Sequence, residues 1–488
     1  MLTESFPKLN DCRAVRFLRA FFRSRYYIAL IVALMVCSEL FGAELFVYYS
    51  YFLFMAVALL FTEDTLAVVP PAVCGYMTFS AKNNPVLFPD TAVFSKPAAA
   101  TALIVVLILI GVFLVSRLIF ELVKRPKKGF PKLTVGFLVL GVAYLVGGAF
   151  SGHYSARTAF FGAVQTLSLC LFYFYFYYTV DWKNTDKSYL FEVFTIVGVG
   201  MLVEIGGMYF GKDVFSASGV NRDKLFTGWG VNNNVGCVMA MCMPAPFWFS
   251  ATDRRAWGFS VLGCCFYLGV LLTQSRTAML FGTLLFCACI AYTLVCSRGK
   301  QRVGNAIVFG VVILAMVVFV AAFQEEFNKL FYSVIRDEFG SRGRLEIYQA
   351  CWEVFLSDPL FGVGFYASPG ALVGHPGIIT APEGVFLPPR AHNTYVQLLA
   401  STGTFGFFAY FYHRFETIAL LFRRPSKEKT LIAFSIAALI LTSILDCHFF
   451  NFGPAILYSI LLVFAEKRSE SAEETELIPL KKRKATLC

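Results

Sequence analysis

Charge is what this chain of 488 residues has least of. Asp, Glu, Lys and Arg together make up 15% of it, and there are five histidines. A soluble globular chain carries ~25% charged residues and is ~45–50% apolar, whereas this one is 58% hydrophobic with a mean hydropathy of +0.66. A water-soluble protein has no way to bury that much apolar surface, and the same numbers exclude disorder. Internal repeats are absent. So is a disulfide framework: there are 14 cysteines, but most lie inside apolar runs, among them Cys37, Cys170, Cys242, Cys264, Cys265, Cys287 and Cys289, where Cys acts as a small hydrophobe. No CxxC pair or Cys/His cluster has zinc spacing, so no metal site is expected. A cleavable leader is lacking too. Met1 to Tyr26 is basic and polar, and no small-residue cleavage site follows the next apolar run, so it reads as a cytoplasmic segment before the first span.

What the chain does have is apolar blocks almost end to end. A bilayer core takes ~20 apolar residues per helix. Candidate spans are 27–45, 46–62, 65–80, 98–122, 133–150, 158–180, 189–210, 234–252, 256–273, 277–297, 304–323, 393–413, 430–446 and 451–465. The 65–80 block is short, carries Pro70-Pro71, and reads as re-entrant or merged with a neighbour. The expectation is an all-α polytopic membrane protein of 12–14 transmembrane helices. With the N-terminus inside, the inner segments hold 29 of the 42 Lys and Arg, so the positive-inside rule places both termini in the cytoplasm. The net charge of +11 then records cytoplasmic loops rather than a nucleic-acid partner. The divisions are a cytoplasmic 1–26, spans within 27–323, one long extracytoplasmic loop at 324–392, spans within 393–465, and a cytoplasmic tail at 466–488.

Few ionisable groups lie at mid-depth, which counts against an ion-coupled pump. Polar residues collect at the outer face instead. They form four groups: Asn221 to Lys224 with Gly228 to Asn234; Thr273-Gln274-Ser275-Arg276-Thr277; Ser341-Arg342-Gly343-Arg344; and Pro388 to Thr394 with Arg390 and His392. The spans beginning at 234, 277 and 393 all run from outside to inside, so their N-termini open outward, where free N–H groups and the helix dipole favour anions. Asn232 to Asn234, Ser275 with Thr277, and Asn393 with Thr394 are candidate caps. Arg222, Arg276 and Arg390 stand at or near these ends, and Arg binds phosphate bidentately. Convergence of the three ends would make an outward-facing diphosphate site. Taken singly, each arginine reads equally as an interfacial anchor or a loop salt bridge.

Within the long loop, Leu345, Tyr348, Trp352 and Phe355 recur at helical spacing over 342–356. This predicts an amphipathic helix capped by Ser341, stopped at Asp358-Pro359 and followed by a Gly362-Val363-Gly364 reversal. His392 directly precedes a helix N-terminus, and a neutral imidazole there is a competent general base. A structural role fits it as well.

At these residues the sequence resembles the O-antigen ligase and polysaccharide polymerase superfamily. The similarity rests on SRGRLEIYQACWEVFLSDPLFGVGFY at 341–366, AHNTYVQLLASTGTFGFFAYF at 391–411 and TQSRTAML at 273–280, and more loosely on NRDKLFTGWGVNNNVG at 221–236. The resemblance implies a metal-independent inverting glycosyltransferase of the plasma membrane, acting without a cofactor in cell-surface polysaccharide synthesis. The implied donor is a glycan on polyprenyl (undecaprenyl-type) diphosphate. The acceptor would be a glycan, lipid or protein hydroxyl on the outer face. Carried over residue by residue, Arg222, Arg276 and His392 are the functional set, with Arg342 and Arg344 as weaker additions. The competing class is a flippase or transporter of lipid-linked glycan.

Overall fold

The computed structural model describes residues 12–62, 64–78, 97–124, 129–152, 154–210, 214–216, 219–253, 256–331, 341–365 and 391–467. Among these the chain is mostly helical, with connecting turns and loops and a two-stranded hairpin pairing Phe215–Ser216 with Gly219–Val220. Each of the fourteen candidate spans falls on a helix or on two helices in succession. Among the described residues seven helices are long and apolar enough to cross a bilayer on their own, and Arg13–Phe22 with Arg25–Phe41, bent by 62°, makes an eighth if the pair counts as one span. The protein is therefore an all-α polytopic membrane protein. The 65–80 block is a 3-10 turn at Leu66–Val68 running into the helix Val69–Thr78, with most of its side chains buried. The helical part, Leu66–Thr78, is shorter than the helices that could cross a bilayer on their own.

Two compact units are present. The first comprises Met1–Lys128 and Tyr175–Arg336, the second Gly129–Phe174 and Asp337–Cys488. In the first, Pro97–Lys124 and Gly299–Ala322 keep few residues buried, as helices clothed in lipid do. Pro97–Lys124 nevertheless carries a buried ion pair: Arg117 bonds Glu121 at 2.6 Å and donates to the carbonyls of Leu59 and Thr62 at 3.1 and 3.3 Å. Each group of such a pair is tolerated in the interior only with the other in place. Arg117→Met alone is accordingly expected to lower stability by ~3–5 kcal/mol, with Arg117→Met/Glu121→Leu closer to the parent in thermal melts. Equal melting of the single and double variants would reject the coupling.

The second unit is organised by a break. Thr394–Phe422 was expected to begin as one straight span at 393, but Gly403 interrupts it with φ 61° and ψ −163°. The ring of Tyr395 stacks on Phe411, centroids 5.8 Å apart, and meets Tyr410 edge-on at 6.0 Å. In an unbroken helix positions 395 and 411 would stand about 24 Å apart. The chain therefore doubles back at Gly403, and 394–402, about 14 Å long, is a half-helix rather than a span. The backbone groups freed by the break are taken up by the turn after the loop helix. Val363 and Gly364 donate to the carbonyls of Ala400 and Ser401, and Thr404 and Phe405 donate to those of Pro359 and Leu360, all at 2.7–3.1 Å. Gly148 donates to Phe361 O at 2.8 Å. Non-helical backbone survives inside a membrane protein only where protein satisfies it in this way.

The loop helix runs from Ser341 to Ser357, close to its expected limits. Its buried face only partly follows the expected stripe: Phe355 is buried and Tyr348 half-buried. Ala350, Cys351 and Val354 are buried with Ile347 beside them, packed on Val363, Ala391, Val396 and Ala400, which is the i, i+3, i+4, i+7 pattern. Leu345 and Trp352 are exposed. The small Ala and Cys side chains let the backbone approach the broken helix closely, with Leu345 and Trp352 turned outward.

Candidate functional site

Arg276 and Arg222 belong to the first unit. The helix Arg276–Cys296 is capped by Ser275, whose side chain accepts from Ala278 N, as expected. The residue before the cap, Gln274, has φ 54°, an uncommon conformation for a residue with a Cβ. It is held there by its side-chain amide, which donates to Leu330 O at 2.6 Å. Thr273 turns its hydroxyl back to Val270 O at 2.7 Å. Thr273, Gln274, Ser275 and Thr277 are all buried, and Arg276 is half-buried at the first helical position. The tight TQSRT junction thus has a rigid, internally bonded base and a cation at its rim.

Against this junction packs the start of the helix Asn232–Cys242. A Cβ on Gly236 would stand 2.7 Å from Ala278 Cβ and 2.8 Å from Thr273 Oγ1, so only glycine permits the approach. Two of the three N-termini expected to converge therefore do meet. The asparagines are not the cap, however: Val231 takes that position without a side-chain hydrogen bond, and Asn232 is already helical. Arg222 opens a 3-10 turn, Arg222–Lys224, at the head of the stretch leading into this helix. Two carboxylates hold that stretch. Gly228 N donates to both oxygens of Glu39 at 2.7 and 2.6 Å, and Trp229 Nε1 donates to Glu204 Oε2 at 2.8 Å. The partnership of Glu39 and Glu204 with a glycine amide and an indole leaves no trace in sequence spacing.

His392 belongs to the second unit. Asn393 is the cap of the 394–402 half-helix, and its side chain accepts from Tyr395 N and Val396 N at 2.9 and 3.1 Å. His392, like Gln274, is the residue before a cap and lies at positive φ, 50°. Ala391 N donates to Gln397 Oε1 at 2.8 Å, and the His392 carbonyl accepts from Tyr348 of the loop helix at 3.3 Å. The ring stands beside a residue the sequence did not nominate. Nδ1 stands 3.5 Å from Asp446 Oδ1, an ion-pair distance, and the side chain is 32% exposed. Asp446 lies in the turn after the helix Lys427–Thr442, and His448 Nε2 stands 3.9 Å from its other oxygen. A carboxylate beside Nδ1 sets the tautomer and leaves Nε2 as the basic nitrogen. Arg342 and Arg344 fall in the first turn of the loop helix, and Arg390 lies outside the described residues.

Burial alone would raise the Asp446 carboxyl. The neighbouring His448 and His392, with the Cys447 amide, outweigh it and hold the group well below the usual carboxylate range. With the folded-state value depressed, its stabilisation is complete above the ordinary value of about 4 and is lost as pH falls towards the folded one. In thermal melts Asp446→Asn is expected to lie below the parent at pH 5, with the gap narrowing below about pH 4. A gap already closed at pH 5 would mean that the carboxylate is not ionised there.

The geometry so far defines a class: a polytopic helical membrane protein with a capped cation in one unit and a carboxylate-held imidazole in the other. Residues 259–411 match the family model described as O-antigen ligase. The match supports placing this part of the chain in the O-antigen ligase and polysaccharide polymerase superfamily, and it takes in both Arg276 and His392. No curated protein matches the chain.

Proposed function

We propose that the protein is a glycosyltransferase of the O-antigen ligase and polymerase type. It moves a glycan from polyprenyl diphosphate to an acceptor hydroxyl at the outer face of the cytoplasmic membrane, with 12–14 spans and both termini inside. The observation that carries the reading is the setting of His392, beside a capped half-helix with Asp446 at Nδ1 and a third of the side chain open.

In this reading the acceptor oxygen attacks the anomeric carbon as the bond from that carbon to the diphosphate oxygen breaks. The hydroxyl proton passes to His392 Nε2, and the polyprenyl diphosphate departs with the electron pair. A single displacement inverts the anomeric centre. Arg276 and Arg222 neutralise the charge that develops on the leaving group, an electrostatic contribution that needs no metal. Arg342, Arg344 and Arg390 are secondary candidates for the same diphosphate.

The test is transfer by purified protein from lipid-diphosphate-linked glycan, with and without acceptor, in EDTA. Product in EDTA is expected, and an absolute need for a divalent ion would overturn the mechanism. Arg276→Ala is expected to lower transfer ~10²-fold or more. Arg276→Lys should recover only part, because the point charge lacks the bidentate fork. Full activity in Arg276→Ala would remove Arg276 from the reaction. Growth of the donor chain without acceptor marks a polymerase, and transfer only to added acceptor marks a ligase.

A further inference from the structure

Arg414 was expected in a cytoplasmic loop. It lies instead within the helical segment that follows Gly403, 5% exposed. Its treatment differs from that of Arg117. Arg117 has a carboxylate and two carbonyls, whereas none of the three guanidinium nitrogens of Arg414 meets an acceptor in hydrogen-bond geometry among the described residues.

What surrounds Arg414 is aromatic. Its guanidinium carbon lies over the rings of Phe449, Tyr410 and Tyr458, at 3.9, 4.6 and 4.7 Å from their centroids. Cation–π contact returns about 2 kcal/mol when desolvated, but it accepts none of the five N–H donors in the guanidinium plane. Glu416 does not serve. Residues two apart point to different sides of a helix, and its Oε1 accepts from Tyr412 at 2.9 Å.

Beside Arg414, the buried hydroxyl of Tyr144 meets no partner in hydrogen-bond geometry among the described residues, and the hydroxyl of Tyr410 lies against the guanidinium, close enough to share a hydrogen bond with it. The Tyr458 hydroxyl is engaged, with Thr417 at 2.8 Å and His413 Nε2 at 3.0 Å. Phenolic oxygens can accept as well as donate, but none of them is charged, and among the described residues no carboxylate stands at ion-pair distance from Arg414; what the cluster lacks is a negatively charged oxygen. Unsatisfied buried polar groups in a native fold call for such an explanation, and a buried unpaired cation calls for it more strongly.

We propose that Arg414, with Tyr144 and Tyr410, forms an oxyanion site inside the second unit that takes a phosphate group. The phosphate is either free inorganic phosphate or the head of an isoprenyl diphosphate. The proposal rests on residues of the second unit alone and does not depend on the mechanism above.

The test uses full-length protein in nanodiscs of zwitterionic lipid, in an Arg222→Ala/Arg276→Ala background that removes the two main candidate anion contacts of the proposed reaction. Melting is followed against sodium phosphate and against farnesyl diphosphate. At least one is expected to raise the melting temperature in a saturable way. Arg414→Met should abolish the shift while melting at or above the parent in anion-free buffer, since it removes an unpaired buried charge. Tyr410→Phe and Tyr144→Phe should each weaken the apparent affinity by up to about tenfold, the worth of one hydrogen bond. A shift with inorganic phosphate identifies a free-anion site, and one confined to farnesyl diphosphate identifies a lipid headgroup site. No shift with either ligand overturns the proposal, and so does the same shift in Arg414→Met. Should Arg414→Met not fold, a Tyr144→Phe/Tyr410→Phe double variant that binds as tightly as the parent overturns it.

Discussion

Replacing His392 by alanine is expected to reduce glycan transfer ~10²–10⁴-fold, the usual worth of a positioned general base, with membrane insertion and melting close to those of the parent. The stability expectation follows from where the structural work is done. The half-helix is capped by Asn393, and the backbone before it is fixed by Gln397 and Tyr348 through main-chain groups. The imidazole itself is a third open and contributes one long contact to Asp446. Asp446→Asn tests the same assembly from the other side. It should lower the rate constant more than it raises KM, since it disturbs the orientation and tautomer of the base rather than the grip on substrate. A transporter makes the opposite prediction, that movement of lipid-linked glycan continues in His392→Ala. Transfer at parental rates in that variant, measured on purified protein, would end the general-base reading.

Much of the fold was legible because a bilayer asks for one thing, apolar length, and sequence reports that directly. All fourteen apolar blocks became helical. What misled was the assumption that an apolar block is one straight helix. The block at 393–413 has suitable composition, and its doubling at Gly403 depends on a partner turn at 359–364, some forty residues earlier. Within the candidate site, the caps Ser275 and Asn393 were readable, because capping is local chemistry. Asn232 to Asn234 were not, because three consecutive candidates leave the register open and Val231 took the place. Asp446 escaped notice for a different reason. Nothing in DCHFF at 446–450 announces an imidazole 54 positions earlier, and only the fold brings the carboxylate to Nδ1. The same holds for Arg414, whose setting is made by rings from two further segments.

The glycines of the matched segment lead to the second large expectation. Gly362, Gly364 and Gly403 all have positive φ, 65°, 93° and 61°, and Gly148 has 81°. A Cβ on Gly362 would stand 2.5 Å from the Ser401 carbonyl carbon, and one on Gly148 would stand 2.7 Å from that of Val363. A Cβ on Gly403 would collide with the main chain of Leu360, and one on Gly364 with the Thr158 side chain. The glycines before and after the break thus belong to a single object, a turn threaded into a broken helix with backbone against backbone.

Gly403→Ala meets both penalties at once. The φ/ψ pair is essentially reserved for glycine and costs about 1–3 kcal/mol in any other residue, and the clash is with main chain that has no rotamer to change. Set against a native stability of ~5–15 kcal/mol, the sum is a large share, and much of the cost falls on the half-helix that presents His392. The expected result is a fall in monodisperse yield and melting temperature, with loss of transfer. Gly310→Ala is the control. It lies in the lipid-facing helix Gly299–Ala322 with nothing within 4 Å of the added Cβ, and it should be neutral or stabilising by roughly 0.5–1 kcal/mol. If Gly403→Ala melts like Gly310→Ala, the chain does not double back at 403. The placement of His392 beside Asp446 would then have to be explained without a broken helix.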